Sequence, residues 1–180
     1  KSSAASDVYK RQKPDRWHRH GEAPVPVVSP DKKWEAYVKD NNLYISPVRD
    51  EKEKDKPKEE IALTMDGTTN LRYDAWSIIW SPDSRKLATV KVRDVQERRI
   101  PLIESSPSNQ KQPILQWRDY AKPGDVLPVY LPVLFDVEAR RQVALDVAPY
   151  ENQYYLNLTG WRKDSRAFTF EFNQRGHQRY

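Results

Sequence analysis

Residues 80–90 read "WSPDSRKLATV", a turn followed by a short strand-like run. Two similar stretches occur in the same chain, "SPDKKWEAYV" at 29–38 and "WRKDSRAFTF" at 161–170. Each begins with a turn rich in Ser, Pro, Asp and Lys or Arg, and each continues as a short run that alternates apolar with small or polar residues. The chain therefore repeats one unit, a turn followed by a strand, three times.

The aspartates of these turns define the spacing of the repeat. Asp31 and Asp83 are 52 residues apart, and Asp83 and Asp164 are 81 apart. Repeat periods of 20–50 residues are typical of solenoids and propellers. The first interval contains four runs that read as strands: "WEAYVKD" (34–40), "NLYIS" (42–46), "EIALTM" (60–65) and "WSIIW" (76–80). The mixed-charge run "RDEKEKDKPKEE" (49–60) is predicted to be a solvated loop between strands.

The second interval is longer because it contains an insertion. Residues 94–128 include five prolines and show no sustained helical period, so we interpret them as a long insertion within one unit. The strands predicted on either side and in the third unit are "KLATVKV" (86–92), "VYLPVLFDV" (129–137), "RQVALDV" (141–147), "YYLNLTGW" (154–161) and "RAFTFEFN" (166–173).

These patterns predict an all-β fold, a partial β-propeller of about three antiparallel four-stranded blades, truncated at the C-terminus. Closed propellers usually have four to eight blades, so we expect the chain to be a fragment of a longer protein. A β-sandwich is the alternative, since its turns also recur every 8–12 residues. The same turn at the same place in each unit favours the propeller.

Composition limits the classes of function. The chain has 6 Trp, 10 Tyr and 14 Pro but only 5 Gly and no Cys, which favours strands and loops and excludes disulfide and thiolate chemistry. Of the net charge of +5, residues 1–20 hold six basic and two acidic side chains, a net +4. We interpret residues 1–20 as a disordered leader and 21–180 as the propeller. Because a nucleic-acid surface needs its basic residues on a folded face, binding to nucleic acid is not expected.

The start of the leader has a further peculiarity. The stretch "SAASDVYKRQ" (3–12) resembles the translated adapter sequence found at the ends of some metagenomic reads. This resemblance predicts that residues 1–12 were never part of the protein.

The sequence contains neither a motif for hydrolytic catalysis nor a convincing set of metal ligands. A nucleophile elbow needs Gly-x-Ser-x-Gly, and no two of the five glycines are four apart. His18 and His20 lie in the leader and lack a third metal ligand, and His177 follows a predicted turn and reads as a surface or packing residue. We predict no catalytic residue, no metal and no cofactor in this chain.

Five motifs in order along the chain resemble one family. They are "DNNLYI" (40–45), "WSPDSRKLA" (80–88), "RRIPLIES" (98–105), "DYAKPGD" (119–125) and "FNQRGHQRY" (172–180). Together they are similar to the N-terminal β-propeller of the dipeptidyl peptidase IV branch of the prolyl oligopeptidase family, from about Ser29 to the last residue. The third and fourth motifs are the most specific, because "SPD" turns occur in other propellers.

The resemblance implies a parent enzyme, a serine peptidase with two parts. A propeller filters or orients peptide substrates, and a C-terminal α/β-hydrolase domain, which this chain lacks, contains a Ser-Asp-His triad. It also implies a periplasmic or extracellular location, and it allows a homodimer of the parent. The alternative is a non-enzymatic propeller that serves as a scaffold for protein–protein interaction.

One departure from the family concerns the amino terminus of the substrate. The peptidase that gives the family its name holds it with paired glutamates on a short helix between a "DG" turn and the next "WSP" strand. The corresponding stretch here, "DGTTNLRYDAWSIIWSP" (66–82), contains no glutamate and offers only Asp74 beyond the turn, close to Arg72. We therefore name Arg72 and Asp74 as candidate substrate-binding residues and predict altered amine binding.

Propeller topology predicts where these residues lie. Alternate connections of an antiparallel blade emerge on the same face, so the loop at 66–75 shares a face with the insertion at 94–128. Loops on such a face often bind substrate. Alternatively, Trp117 and "PLI" (101–103) pack the insertion onto the blade and the charges are only solvated. The other candidates on the insertion are Glu97, Arg98, Arg99, Glu104, Arg118 and Asp119.

Overall fold

Antiparallel strands joined by tight turns form the protein, which we describe from a computed structural model. The structure describes residues 24–49, 57, 59–96 and 98–180. Its strands are β1 Val27–Val28, β2 Trp34–Lys39, β3 Asn42–Pro47, β4 Ile61–Ala62, β5 Leu71–Tyr73, β6 Ile79–Trp80, β7 Lys86–Arg93, β8 Arg99–Glu104, β9 Ile114–Asp119, β10 Val129–Asp136, β11 Arg141–Val143, β12 Gln153–Trp161 and β13 Phe168–Gln174.

Helical structure is minor within these residues. It consists of two 3-10 turns, Ala75–Ser77 and Ala148–Tyr150. Among the described residues, no helix has the length and apolar character needed to span a membrane.

The described strands form four sheets, three that follow one another along the repeat and a separate hairpin of β8 and β9, which confirms the prediction of an all-β, partial β-propeller. The first sheet has the order β1-β2-β3-β4. In the second sheet β7 pairs with β10 on one side, and β11 follows β10. On its other side β7 pairs with both β5 and β6, which together act as one interrupted strand. The third sheet consists of β12 and β13.

The sheet boundaries refine the predicted repeat. The run at 76–80 lies within the first Asp-to-Asp interval, but its strand β6 pairs with β7 and so belongs to the second sheet. The first sheet instead begins with β1, whose two residues pair with β2. The first period of the sequence therefore contains the second to fourth strands of one sheet and the first strand of the next.

The core lies between the sheets and follows the alternation of β7. Leu87 packs with Phe135 and Val133 toward the first sheet, in a cluster that also contains Leu43 and Ile45. The side chains of opposite parity, Val90 and Val92, pack with Leu156 and Leu158 of the third sheet. The middle sheet is therefore buried on both faces, and burial of this kind is the main favourable term in folding.

The three turns have the same backbone geometry. The fourth residue of each turn is left-handed: φ is 61° at Lys32, 60° at Ser84 and 58° at Ser165. In each turn the aspartate side chain accepts a hydrogen bond from the backbone N–H two residues later, at 3.1 Å in all three. Such Asx turns explain why aspartate occurs at this position.

The segment at 94–128, predicted as an insertion, contains strands. β8 and β9 form a two-stranded antiparallel hairpin that pairs with none of the other sheets. The predicted leader at 1–20, including His18 and His20, lies outside the described residues, as does most of the charged run at 49–60. The domain boundaries at residues 20 and 21 stay predictions.

Candidate functional site

Two connections meet at one end of the second sheet, as the topology predicted, but the first is shorter than the predicted loop at 66–75. Strand β5 (Leu71–Tyr73) occupies part of that range, and Asp74 lies beyond it. Arg93, the last residue of β7, pairs with Leu71 of β5 and with Val129 of β10. The connection from β4 to β5 and the segment from β7 to β10 therefore emerge at the same end of the second sheet. The backbone N–H of Asp94 donates to the carbonyl of Asn70 at 2.9 Å, which joins the two connections directly. We call this end of the sheet, with residues 63–72, 94–96 and 98–128, the loop face.

A close backbone approach fixes the first of these loops. Gly67 N–H donates to Asn42 Oδ1 at 2.8 Å. A Cβ atom at Gly67 would lie 2.2 Å from the carbonyl oxygen of Asn41, so only glycine fits without a shift of the backbone. This contact ties the loop to the turn between β2 and β3.

Asp66 is the polar centre of that loop. Its carboxylate forms an ion pair with Lys91 and accepts a hydrogen bond from Tyr73 Oη at 3.0 Å. Burial alone would raise the pKa of Asp66, but the bonds from Lys91 and Tyr73 outweigh it, and the pKa lies below its usual value. The pKa of Tyr73 is raised by burial and by the adjacent Asp66 carboxylate. Asp66 is therefore ionised at neutral pH and holds the loop against β7.

Arg72 lies on β5 at the loop face and pairs with the second loop. Its Nε donates to Asp94 Oδ2 at 2.6 Å, with the Arg72 side chain 40% and the Asp94 side chain 34% exposed. A second ion pair at this end joins Arg93 to Glu151, at 3.4 Å. The exposed edges of both guanidinium groups remain available to an incoming carbonyl or carboxylate.

Asp74 occupies a different environment from Arg72. It precedes the 3-10 turn Ala75–Ser77, which interrupts the strand between β5 and β6, and its Oδ1 accepts weakly from Trp76 N–H at 3.4 Å. The residue is only 6% exposed, and within the described part of the chain its Oδ2 has no hydrogen-bond partner. Burial raises its pKa, and the nearby positive charge of Arg72 lowers it by less.

The backbone around Asp74 is well ordered by hydrogen bonds. Its carbonyl accepts from Ser77 Oγ and Thr89 Oγ1, at 2.8 and 2.9 Å, and its N–H donates to the Val90 carbonyl. The two residues of the predicted pair thus differ in environment, since Arg72 is partly exposed and Asp74 is buried. The sequence did not reveal Asp94 as the main partner of Arg72, since the two are 22 residues apart.

The hairpin of β8 and β9 presents its apolar side chains to solvent. Trp117 is 54% exposed, and Leu102 and Ile103 are also exposed. These residues therefore do not pack the insertion onto the blade, which was the alternative interpretation of the sequence. At the base of the hairpin, Arg98 pairs with Asp125 at 3.3 Å.

A cavity of about 1050 Å³ opens at this base. Its lining includes Arg98, Arg99, Asp119, Tyr120 and Asp125. The charges in it are paired, because Arg99 also contacts Asp119 at 3.1 Å. Of the other predicted candidates, Glu104 accepts from Gln116 and Arg118 lies exposed on β9, whereas Glu97 lies outside the described residues.

No group of three or more metal-binding side chains occurs within the described ranges. His177, predicted as a surface or packing residue, lies at a ring-centroid distance of 4.6 Å from Tyr154 and hydrogen-bonds Asn173.

Comparisons with known proteins agree with this architecture. The chain is similar to the crystal structure of Porphyromonas gingivalis dipeptidyl peptidase 4, with 18% sequence identity and a TM-score of 0.58. The match covers 83% of this chain and 22% of that one, so the chain spans less than a quarter of its length. At this identity the similarity shows the fold alone. A search among curated proteins found no match.

A family model supplies the assignment. The model described as the dipeptidyl peptidase IV (DPP IV) N-terminal region matches residues 2–180. This match spans nearly the whole chain and agrees with the resemblance of the five motifs. The chain therefore belongs to the family of dipeptidyl peptidase IV N-terminal regions.

Proposed function

We propose that this chain is the non-catalytic propeller part of a dipeptidyl peptidase IV-like serine peptidase, in which it orients peptide substrates. A C-terminal α/β-hydrolase domain of the same parent supplies the catalytic triad and cleaves the peptide. The family match over residues 2–180 is the observation that carries this proposal. It is supported by the sequence, which has no Gly-x-Ser-x-Gly in its 180 residues.

Substrate binding is assigned to the loop face. Arg72 is exposed there and pairs with Asp94 at 2.6 Å, so its orientation is set before a substrate arrives. Such preorganisation reduces the entropic cost of binding. The remaining guanidinium N–H groups donate to a carbonyl or carboxylate of the peptide.

Asp74 is assigned to bind the amine of the substrate. It discriminates between free and blocked amino termini more weakly than a pair of glutamates would. Its Oδ2 is buried and without a hydrogen-bond partner among the described residues, which is costly unless a donor reaches it. The residue is only 6% exposed, and Arg72 lies near enough to lower its pKa, so an ammonium that enters to reach it also approaches Arg72. The positive charge of Arg72 opposes that entry.

The exposed hairpin is assigned to association. Apolar side chains such as Trp117 and Ile103 form an uncovered edge of the chain, and aromatic residues at such places commonly mark contacts with another protein. We assign this hairpin to a homodimer of the parent. The same exposed side chains favour a second candidate function, a non-enzymatic scaffold that binds another protein.

The test uses the full-length parent and a Pro-containing chromogenic dipeptide with a free or a blocked amino terminus. We expect a weak preference for the free amine, which Asp74→Asn reduces further because Asp74 is the carboxyl assigned to the amine. A weak preference that Asp74→Asn leaves unchanged would remove Asp74 from amine binding. Strong rejection of the blocked substrate that Asp74→Asn abolishes would establish Asp74 as a sufficient anchor and refute weak discrimination. No turnover of either substrate, in a parent with an intact triad, would favour the scaffold.

A further inference from the structure

The first turn shares the backbone geometry of the two later turns but differs from both of them at two positions. The second and third turns begin "WSPDS" (80–84) and "WRKDS" (161–165), whereas the first begins "VSPDK" (28–32). The first copy thus has Val28 where the others have Trp, and Lys32 where the others have Ser. The Trp and the Ser of each later turn make contacts between sheets.

The serine of each later turn binds the turn of the sheet before it. The backbone N–H of Asp31 donates to Ser84 Oγ at 3.0 Å, across 53 residues of sequence. The backbone N–H of Asp83 donates to Ser165 Oγ at 3.1 Å, across 82 residues. Both serines are buried, at 7% and 4% exposed, although they lie in turns.

The tryptophan of each later turn repeats the same step. Trp80 Nε1 donates to the carbonyl of Val27 in the first sheet at 2.8 Å. Trp161 Nε1 donates to the carbonyl of Ile79 in the second sheet at 3.1 Å. Val27 and Ile79 occupy equivalent positions, each directly before the residue that opens its own turn.

We propose that W-x-x-D-S is a docking element that fixes a sheet onto the preceding one through two hydrogen bonds, and that the third turn offers the same docking site to another sheet with this element. At that site the N–H of Asp164 would meet a serine hydroxyl. The carbonyl of Gly160 already accepts from Thr169 Oγ1 at 3.0 Å, and its second lone pair would meet an indole N–H. The partner is an antiparallel sheet with its own W-x-x-D-S turn. The proposal continues an interface that already occurs twice in the molecule.

The first turn has no such element to offer. Lys32 is exposed, and neither its ammonium nor Val28 can reproduce the two contacts. The first sheet therefore receives the second sheet but lacks the groups to dock onto another sheet in this way. Because each sheet with this element docks onto the sheet that precedes it in the sequence, the sheets stack in one direction along the chain.

The docking contacts are tested by three alanine variants at the same left-handed turn position. Ser84→Ala and Ser165→Ala each leave a backbone N–H without its acceptor, so we expect the ratio of folded to unfolded chain to fall roughly 5- to 30-fold. Lys32→Ala has the same backbone strain but no contact between sheets, so we expect a change within about twofold. Equal losses at all three positions, or none at the serines, would overturn the proposal.

The docking site on the third turn is tested by a gain of function. We install the element in the first turn with Val28→Trp and Lys32→Ser, both at exposed positions, and confirm by thermal denaturation that the variant folds. Sedimentation velocity over a concentration series should show head-to-tail association, with a mass above that of wild type at each concentration. Adding Thr159→Arg, an exposed residue beside Gly160, should reverse it. A folded variant that sediments as wild type does, or association indifferent to Thr159→Arg, would refute the docking site.

Discussion

Arg72 on β5 and Asp94, the first residue after β7, are held together by a contact of 2.6 Å between Nε and Oδ2. The pair joins the two connections of the loop face, since Asp94 also donates its backbone N–H to the carbonyl of Asn70 in the loop that precedes β5. The position of the one exposed arginine proposed to meet substrate therefore depends on the segment that leads into the hairpin.

Replacing Arg72 should affect substrate binding more than folding. Both members of the pair are exposed by a third or more, so Arg72→Ala should change the free energy of unfolding by less than about 1 kcal/mol. In the full-length parent it should lower kcat/KM roughly tenfold or more, because hydrogen bonds to charged groups contribute about 1.5–3 kcal/mol. Steady-state kinetics measures this.

A matched control exists at the opposite end of β7. Arg85 forms a similar exposed ion pair with Glu138, at 2.9 Å, beside the repeated turn. Arg85→Ala should leave kcat/KM unchanged. A comparable loss in both variants would show that the loop face has no special role in substrate binding.

Asp74 should make stability depend on pH in an unusual direction. Burial raises its pKa above the ordinary 3.8, so the folded state binds the proton more tightly than the unfolded state does. The contribution of this group to the free energy of unfolding is fully present below about pH 3.8, and it is lost as the pH rises through the pKa of Asp74 in the folded state. Wild type should therefore gain stability relative to Asp74→Asn when pH falls from 7 to 4.

Denaturant titrations of both proteins at the two pH values measure this difference. Asn preserves the shape and the Oδ1 acceptor toward Trp76, so that the comparison isolates the charge. A difference that is constant with pH would contradict the raised pKa.

Gly67→Ala should disturb the loop face from within. The new Cβ would lie 2.2 Å from the Asn41 carbonyl oxygen, which belongs to the backbone and cannot rotate away. We expect a loss of about 1–3 kcal/mol in unfolding free energy, as for other overpacked sites. Met65→Ala, in the same loop but 81% exposed, serves as the control and should be nearly silent. Wild-type stability in Gly67→Ala would mean that the loop can move away from the β2–β3 turn.

The hairpin should contribute to association and little to stability. Trp117→Ser removes an exposed side chain, so the unfolding free energy should change by no more than about 0.5 kcal/mol. Sedimentation equilibrium of the full-length parent should show a weaker homodimer. Unaltered self-association would remove the hairpin from that interface.

The strands that could be predicted from the sequence are those whose alternation is enforced by burial. The run at 86–92 and the run at 129–137 became β7 and β10, whose apolar side chains fill both interfaces of the middle sheet. The predicted strand at 141–147 ends at Val143 in the structure, where all three strand residues are exposed. Without burial, alternation alone did not define its length.

The hairpin and the charge pairs could not be predicted for two further physical reasons. Pro101 and four more prolines in 94–128 argue against strands, yet β8 and β9 pair with each other outside any core, where a proline is tolerated. Arg72 and Asp94 become neighbours only when β5 pairs with β7. The burial of Asp74 likewise depends on the 3-10 turn that interrupts its strand.

We propose that this chain orients substrates for a catalytic domain that is not part of its 180 residues. The most direct measurement compares the hydrolysis of a Pro-containing chromogenic dipeptide by the 180-residue chain and by the full-length parent, at equal molar concentration. We expect turnover by the parent, abolished when its catalytic serine is replaced, and none by the chain alone. Turnover by the chain alone, or an inactive parent with an intact triad, would contradict it.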